Sequence, residues 1–339
     1  MIETVIFGGT GYGAGELMRL LLPRSDVQIR QVISRSQTGQ PVWSAHPQLR
    51  GYTDLRFTDA LDPSLYGTED ARPYAFLALP HAASAAMAAE LEQQGFAVID
   101  LSGAYRLRIE AEHNHHYSDI PFDYDLRSRF TYGLPEIVGN AAIEAAQHIA
   151  NPGCLATASA LAAHPLRDLI TGPVRINALT GSTGAGRSLG ARLHHPARDS
   201  NFSAYGALSH RHEPEIRQAL GGDMATAFVP HSLPLKRGIH VTLHADLTCA
   251  MDSDALQDVY RNTYAGQPFI RITEAAPELA SVTGSNMVEI SAITRGRQAV
   301  VFCVLDNLVK GAAGQAIQNM NLMSGLPPQT GLMVPPLRP

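Results

Sequence analysis

The stretch that most limits what this chain can fold into is its start, "TVIFGGTGYGAGELMRLLLPR". A β-branched and aromatic run gives way to a glycine cluster and then to Leu17, Leu20 and Leu21 at helical spacing, which reads as strand, tight turn and helix. Such a unit presents backbone N–H groups at the helix N-terminus. With Gly8 and Gly11 freeing the backbone and Thr10 and Tyr12 in the same turn, it can approach a pyrophosphate with no side chain in the way. The plainer alternative is a βα turn that binds nothing. The next strand, "VQIRQVIS", runs into Ser34-Arg35-Ser36. An NAD site usually closes this strand with a carboxylate on the ribose 2′-hydroxyl, whereas two hydroxyls and a guanidinium suit a 2′-phosphate, so the cofactor expected is NADP(H), a solvated loop being the alternative. "YAFLALPH" and "FAVIDLSG" read as buried parallel strands with the Ala-rich helix "AASAAMAAELEQQ" between them. His81 falls on the carboxyl edge of that sheet, where ligands bind and where structural histidines are as common.

At 339 residues, 45% hydrophobic and 17% charged, the chain is long enough for two domains. A net charge of −5 and no basic cluster interleaved with aromatics argue against a nucleic-acid partner. No apolar run approaches the roughly 20 residues that cross a bilayer, and the N-terminus reads as a strand rather than a signal peptide, so no membrane partner and a cytoplasmic location are expected. Cys154, Cys249 and Cys303 are odd in number and lack metal-ligand spacing, which indicates neither a disulfide framework nor a metal site.

One cysteine stands apart, in "IANPGCLATASALAAHPL". Pro152 fixes φ, Gly153 admits an unusual backbone angle, and Ala156 to Ala163 favours helix, so Cys154 is expected at a helix N-terminus, where the dipole favours thiolate. A nucleophile gains from that context; the alternative is a small buried hydrophobe near a helix cap. Cys249 and Cys303 lie in apolar runs and read as inert strand residues. A thiolate beside a nicotinamide cofactor suggests acyl transfer coupled to hydride transfer, which needs a proton donor and acceptor. His210 and His212, two apart in "SHRHEPEI", share one face if that segment is extended. The polar, glycine-rich stretch before them cannot be core and reads as a site loop.

The motifs "GGTGYGAGEL", "DLSGAYRL", "NPGCLAT", "GSTGAGR", "NFSAYGALSHRHEPEI", "FVPHSLPLKRGI" and "LVKGAAGQAIQNMNLM" occur in an order that resembles N-acetyl-γ-glutamyl-phosphate reductases, a branch of the semialdehyde dehydrogenase superfamily. The resemblance runs almost end to end. It implies that Cys154 carries an acyl group and that His210 and His212 supply acid/base and substrate contacts, the order of the two left open. It also implies NADPH-dependent reductive dephosphorylation of a small-molecule acyl phosphate, Gly184 and Asn307 near the cofactor, and a homo-oligomer, dimer or tetramer. Arg106, Arg187 and Arg237 are the expected substrate cations, since guanidinium binds phosphate or carboxylate through two parallel bonds; ordinary salt bridges are the alternative.

The expected architecture is α/β: a Rossmann-type NADP-binding domain over residues 1–148, then a mixed α/β catalytic and oligomerisation domain over 149–310 with strands "VRINALTGS", "HVTLHADL" and "QAVVFCVLDNL". By resemblance, a terminal helix, 311–326, packs back on the first domain. The Pro-rich tail "PPQTGLMVPPLRP" is expected to be extended. Departures from the family pattern are Leu155 and Ala156 after the cysteine, Ala14 in the glycine turn, and His194-His195-Pro196. The last is similar to relatives that reduce a carrier-protein-linked aminoadipyl or glutamyl phosphate, which is one alternative; a non-catalytic NADP-binding regulator is the other.

Overall fold

The computed structural model describes residues 1–67, 72–222 and 224–337, which form two compact units. The first unit comprises Met1–Pro152 and Ala312–Leu332; the second comprises Gly153–Gly311 and the tail from Met333.

The first unit is built on a parallel sheet of β1 (Ile2–Phe7), β2 (Val27–Ile33), β3 (Phe57–Thr58), β4 (Tyr74–Leu77), β5 (Ala97–Asp100), β6 (Phe130–Tyr132) and β7 (His148–Ala150), in the order β3-β2-β1-β4-β5-β7-β6. Its strands are buried runs, as both-face coverage of a parallel sheet demands. The strand order reverses at β1, which puts the glycine turn at the switch point where open sheets bind ligands. Helix Tyr12–Leu21 follows that turn and buries Leu17, Leu20 and Leu21. The terminal helix is shorter than 311–326: a π-helical turn, Val309–Ala313, precedes an α-helix, Gly314–Met323. That α-helix lies in the first unit because its polar side chains are spent there. Asn319 donates to Gly133 O (2.9 Å) and to Asn151 Oδ1 (3.2 Å), and Gln318 donates to Glu136 (2.9 Å). The tail is not extended from Pro327: the Thr330 and Leu332 N–H groups turn back onto Pro327 and Gln329.

The second unit holds a mixed sheet of β8 (Ile170–Thr180), β9 (Ser203–Ala204), β10 (Thr226–Ser232), β11 (Ile239–Leu247), β12 (Ile270–Ile272), β13 (Val288–Arg295) and β14 (Gln298–Leu305), in the order β12-β13-β14-β11-β8-β10-β9. Helix Cys154–Ala163 packs on β11 and β14, and Leu155 through Ala163 are all buried. A helix buried all round needs small and apolar residues on every face, which explains the Ala-rich sequence without an amphipathic stripe. Its terminal carbonyls are satisfied from outside: the Tyr260 hydroxyl donates to Ala162 O (2.5 Å) and that of Tyr264 to Leu161 O (2.6 Å). Cys303 is buried in β14, where desolvation pushes its thiol well up. Cys249 is not a strand residue. It follows the end of β11 and is exposed.

Candidate active site

Cys154 is the first residue of its helix, with Gly153 at the N-cap. The positive end of the helix dipole therefore faces the sulfur and favours negative charge on it. Gly153 adopts an ordinary extended conformation (φ −69, ψ 143), not the unusual angle expected of it. Its missing side chain serves a close approach instead: a Cβ there would stand 2.3 Å from His212 Nε2. On the other side, a Cβ on Gly311 would stand 2.7 Å from the Cys154 Cβ, so the π-helical turn packs against the cysteine.

The segment of His210 and His212 is a turn rather than an extended strand. Their rings still meet, 4.7 Å apart and edge to face, because the His212 N–H turns back to donate to His210 Nδ1 (3.1 Å). With Nδ1 accepting, the neutral His210 ring carries its proton on Nε2. His212 is buried at the start of helix Glu213–Ala219. Sequence reasoning passed over Glu215, which is fully buried. Its Oε2 accepts the Gly153 N–H (3.0 Å), and its Oε1 lies 3.9 Å from His212 Nε2, so one carboxylate sits between the cysteine's cap and the histidine.

Cys154, His210 and His212 line one cavity of about 300 Å³, together with Thr180, Gly184, Tyr205 and three arginines, Arg192, Arg198 and Arg211. Burial, and then the negative charge of Cys154, push the Tyr205 phenol up to about 12, so it stays an O–H donor at neutral pH. The arginines expected from the motifs are not among its lining residues. Buried Arg106 donates to the carbonyls of Asn151 and Leu101 (2.7 Å each), which makes it a backbone clamp below the Asn-Pro-Gly turn. Arg237 forms a two-bond ion pair with fully buried Asp306 (2.9 and 3.0 Å), which also accepts the N–H groups of Gly284, Leu308 and Val309. Arg187 is exposed and is not among the residues lining the cavity. Asn307 is buried and bridges Gly238 N (2.7 Å) to Thr183 Oγ1 (3.0 Å), so its amide braces a loop. The partners of Arg237 and Asn307 are distant in sequence, and no local motif announces them.

In the first unit, Gly8 has φ +75, and a Cβ there would stand 2.2 Å from Ala78 O, a cradle that only glycine permits. The Gly11 N–H donates to Gly8 O (2.9 Å), Gly11 caps the following helix, and Tyr12 opens it, half-exposed; Thr10 completes the turn. Beside Gly8 lies a cavity of about 710 Å³ lined by Ser34, Arg35 and Ser36. Ser34 is buried and its hydroxyl shares a hydrogen bond with Ser36 (3.3 Å), while Arg35 is exposed. Asp59 and Glu90 also line this cavity, so it is not free of carboxylates as the strand end alone suggests. The glycine cradle, the helix N-terminus and the Ser-Arg-Ser corner together fit a dinucleotide with a 2′-phosphate. His81, on the carboxyl edge of this sheet, accepts the Gly103 N–H at its Nδ1 (2.9 Å). Among the described residues, no group of three or more His, Cys, Asp or Glu side chains could hold a metal ion, and no helix is long and apolar enough to cross a membrane.

A nucleotide-binding sheet followed by a mixed sheet with a cysteine at a helix mouth is the organisation of semialdehyde dehydrogenases, and the family models agree. Residues 3–146 match the semialdehyde dehydrogenase NAD binding domain, and residues 154–307 match the semialdehyde dehydrogenase dimerisation domain. Solved structures of like fold include aspartate semialdehyde dehydrogenase II from Vibrio cholerae complexed with ASA (TM-score 0.72, 16% identity, 96% of this chain and 98% of that one). A probable aspartate-semialdehyde dehydrogenase from Pseudomonas aeruginosa is another (TM-score 0.69, 21% identity, 95% and 98%). Relatives at higher identity are N-acetyl-gamma-glutamyl-phosphate reductases: those of Laribacter hongkongensis (40%) and Desulforudis audaxviator (37%) align over 100% of both chains, as does that of Methanoregula boonei (39%). The chain belongs to the N-acetyl-gamma-glutamyl-phosphate reductase family.

Proposed function

We propose that this chain carries out the NADPH-dependent reductive dephosphorylation of N-acetyl-γ-glutamyl phosphate to N-acetyl-L-glutamate 5-semialdehyde, in arginine biosynthesis, through a thioester on Cys154. The observation that carries the residue assignment is the cavity in which Cys154, at its helix mouth, meets His210, His212 and three arginines. Cys154 attacks the acyl carbon and phosphate departs, leaving the thioester. The Gly8 turn and the Ser34-Arg35-Ser36 corner would hold NADPH, which would supply the hydride that the thioester carbon needs. The carbonyl oxygen gains negative charge in both steps, and the Nε2–H of His210 is the donor that stabilises it. The thiolate then leaves as the aldehyde forms. His212 contacts substrate, with Glu215 Oε1 3.9 Å from its Nε2. Membership in a family whose second domain is described as a dimerisation domain supports a homo-oligomer, and the biosynthetic activity of the relatives supports a cytoplasmic location.

The test is the reverse reaction, phosphate-dependent reduction of NADP with N-acetylglutamate semialdehyde. The intact chain turns over and Cys154→Ala does not, a loss of at least 10³-fold, on the order of what an essential nucleophile contributes. Turnover retained by Cys154→Ala would remove the thioester from the mechanism.

A further inference from the structure

The site loop before the two histidines carries two arginines that no motif marks, Arg192 and Arg198. Both line the Cys154 cavity, whose lining residues include no carboxylate. Arg192 Nη2 donates to Ser203 Oγ (2.8 Å), and Arg198 Nη1 donates to Ser232 Oγ (2.8 Å). These serines are direct cross-strand partners on β9 and β10. Residues opposite one another in an antiparallel pair have Cβ atoms about 5 Å apart, so two guanidinium groups hang from adjacent hydroxyls on one wall. Arg198 Nη2 is buried and makes no hydrogen bond within the chain. A buried guanidinium nitrogen left without an acceptor is costly, and here it belongs to a group already steered to the cavity.

We infer that Arg192 and Arg198 form a two-arginine clamp for the phosphate that leaves in the forward reaction and attacks in the reverse one. Two full positive charges on one wall match a dianion better than the single charge of a carboxylate, and guanidinium forks suit phosphate oxygens. Tethering each fork to a serine leaves its remaining N–H groups for the anion and limits the rotamer entropy lost on binding. Of the arginines expected from the motifs, Arg106 donates to two backbone carbonyls and Arg237 pairs with Asp306, and neither is among the cavity's lining residues. The inference rests on the reaction proposed above, and its test separates the two.

The full-length chain is assayed in the reverse direction with inorganic phosphate and the semialdehyde varied in turn. Arg198→Gln raises the phosphate KM tenfold or more and leaves the semialdehyde KM within twofold. Ser232→Ala, which removes only the tether and keeps the fold, raises the phosphate KM in the same direction by a smaller factor. A rise in the semialdehyde KM instead, or an unchanged phosphate KM, overturns the clamp. A second readout needs no turnover: in a Cys249→Ser background, inorganic phosphate slows alkylation of Cys154 by iodoacetamide in the parent and fails to do so in Arg198→Gln. Equal protection of both overturns the clamp. Protection of the parent alone, in a protein without reverse activity, upholds the clamp and removes the reaction.

Discussion

An alanine at position 153 would bring its Cβ within 2.3 Å of His212 Nε2, while its backbone angles suit any residue. The substitution therefore tests ring placement and not backbone strain. Gly153→Ala displaces the imidazole and lowers kcat on the order of 10²-fold, the low end of what a positioned proton-transfer group contributes. Alkylation of Cys154 by iodoacetamide proceeds as in the parent, because the helix mouth is intact. Steady-state rates and alkylation rates measured together check this; an unchanged kcat would show that the ring's position against the Gly153 backbone is immaterial. The same residue scale shows what the sequence could disclose. "NPGC" before an Ala-rich run announces a cysteine at a helix N-terminus because that signal is local. That the glycine is there for a histidine nearly sixty positions later, roughly the Gly153–His212 separation, is invisible until the chain folds. Arg192 and Arg198 pass unnoticed for the same reason, since their meaning lies in the cross-strand pairing of Ser203 with Ser232.

Among the elements, the βα unit at the N-terminus and the buried strands of the first sheet were legible, because parallel strands covered on both faces read as continuous apolar runs. In the second sheet, β8, β11 and β14 were found while β10 and β13 were not. β10 carries Pro230, which demotes a strand in any sequence reading, and Glu289 interrupts the apolar start of β13. One element of the first sheet makes a pH prediction. His148 on β7 is buried, its Nδ1 accepts the Val98 N–H of β5, and burial followed by the charges of Arg72 and Arg129 lowers its pKa to about 4, although Glu92 Oε1 lies 3.7 Å from Nε2. The folded state thus holds the ring neutral where the unfolded chain, at its usual value of 6.5, protonates it. The unfolded state binds more protons between those values, so stability is complete above the unfolded pKa and falls as pH drops toward the folded one. The loss from this residue between pH 7 and pH 4.5 is about 2 kcal/mol. Urea unfolding at the two pH values gives a smaller difference for His148→Gln than for the parent; equal differences would mean that other groups carry the acid limb.

At the scale of the whole molecule, the chain leaves its first unit after Pro152 and returns to it at Ala312, so that unit is completed by a segment that follows Gly153–Gly311 in sequence. The returning helix Gly314–Met323 is no accessory. It is buried from Gly314 to Leu322, it satisfies Gly133 O and Asn151 Oδ1 through Asn319, and Asn321 Oδ1 accepts from Arg24 Nη1 (2.7 Å) beside the first helix. Ending the chain at Gly311 would expose those groups and the apolar surface under Ala316, Ile317 and Met320, all fully buried. From the second unit it would take the bond from Leu337 N–H to Thr283 O and the contact of Leu337 with Gly284. The intact chain bound to NADP at a hundred times its Kd gains about 2.7 kcal/mol. The shortened chain loses that gain, because the cradle at Gly8 belongs to the unit that has lost its last helix, and its first unit melts separately and earlier than its second. Calorimetry with and without NADP distinguishes the outcomes: two transitions, neither shifted by NADP, agree with a first unit closed by its terminal helix, whereas one transition at the parent's temperature with the NADP shift intact would mean that the first 152 residues fold and bind without it.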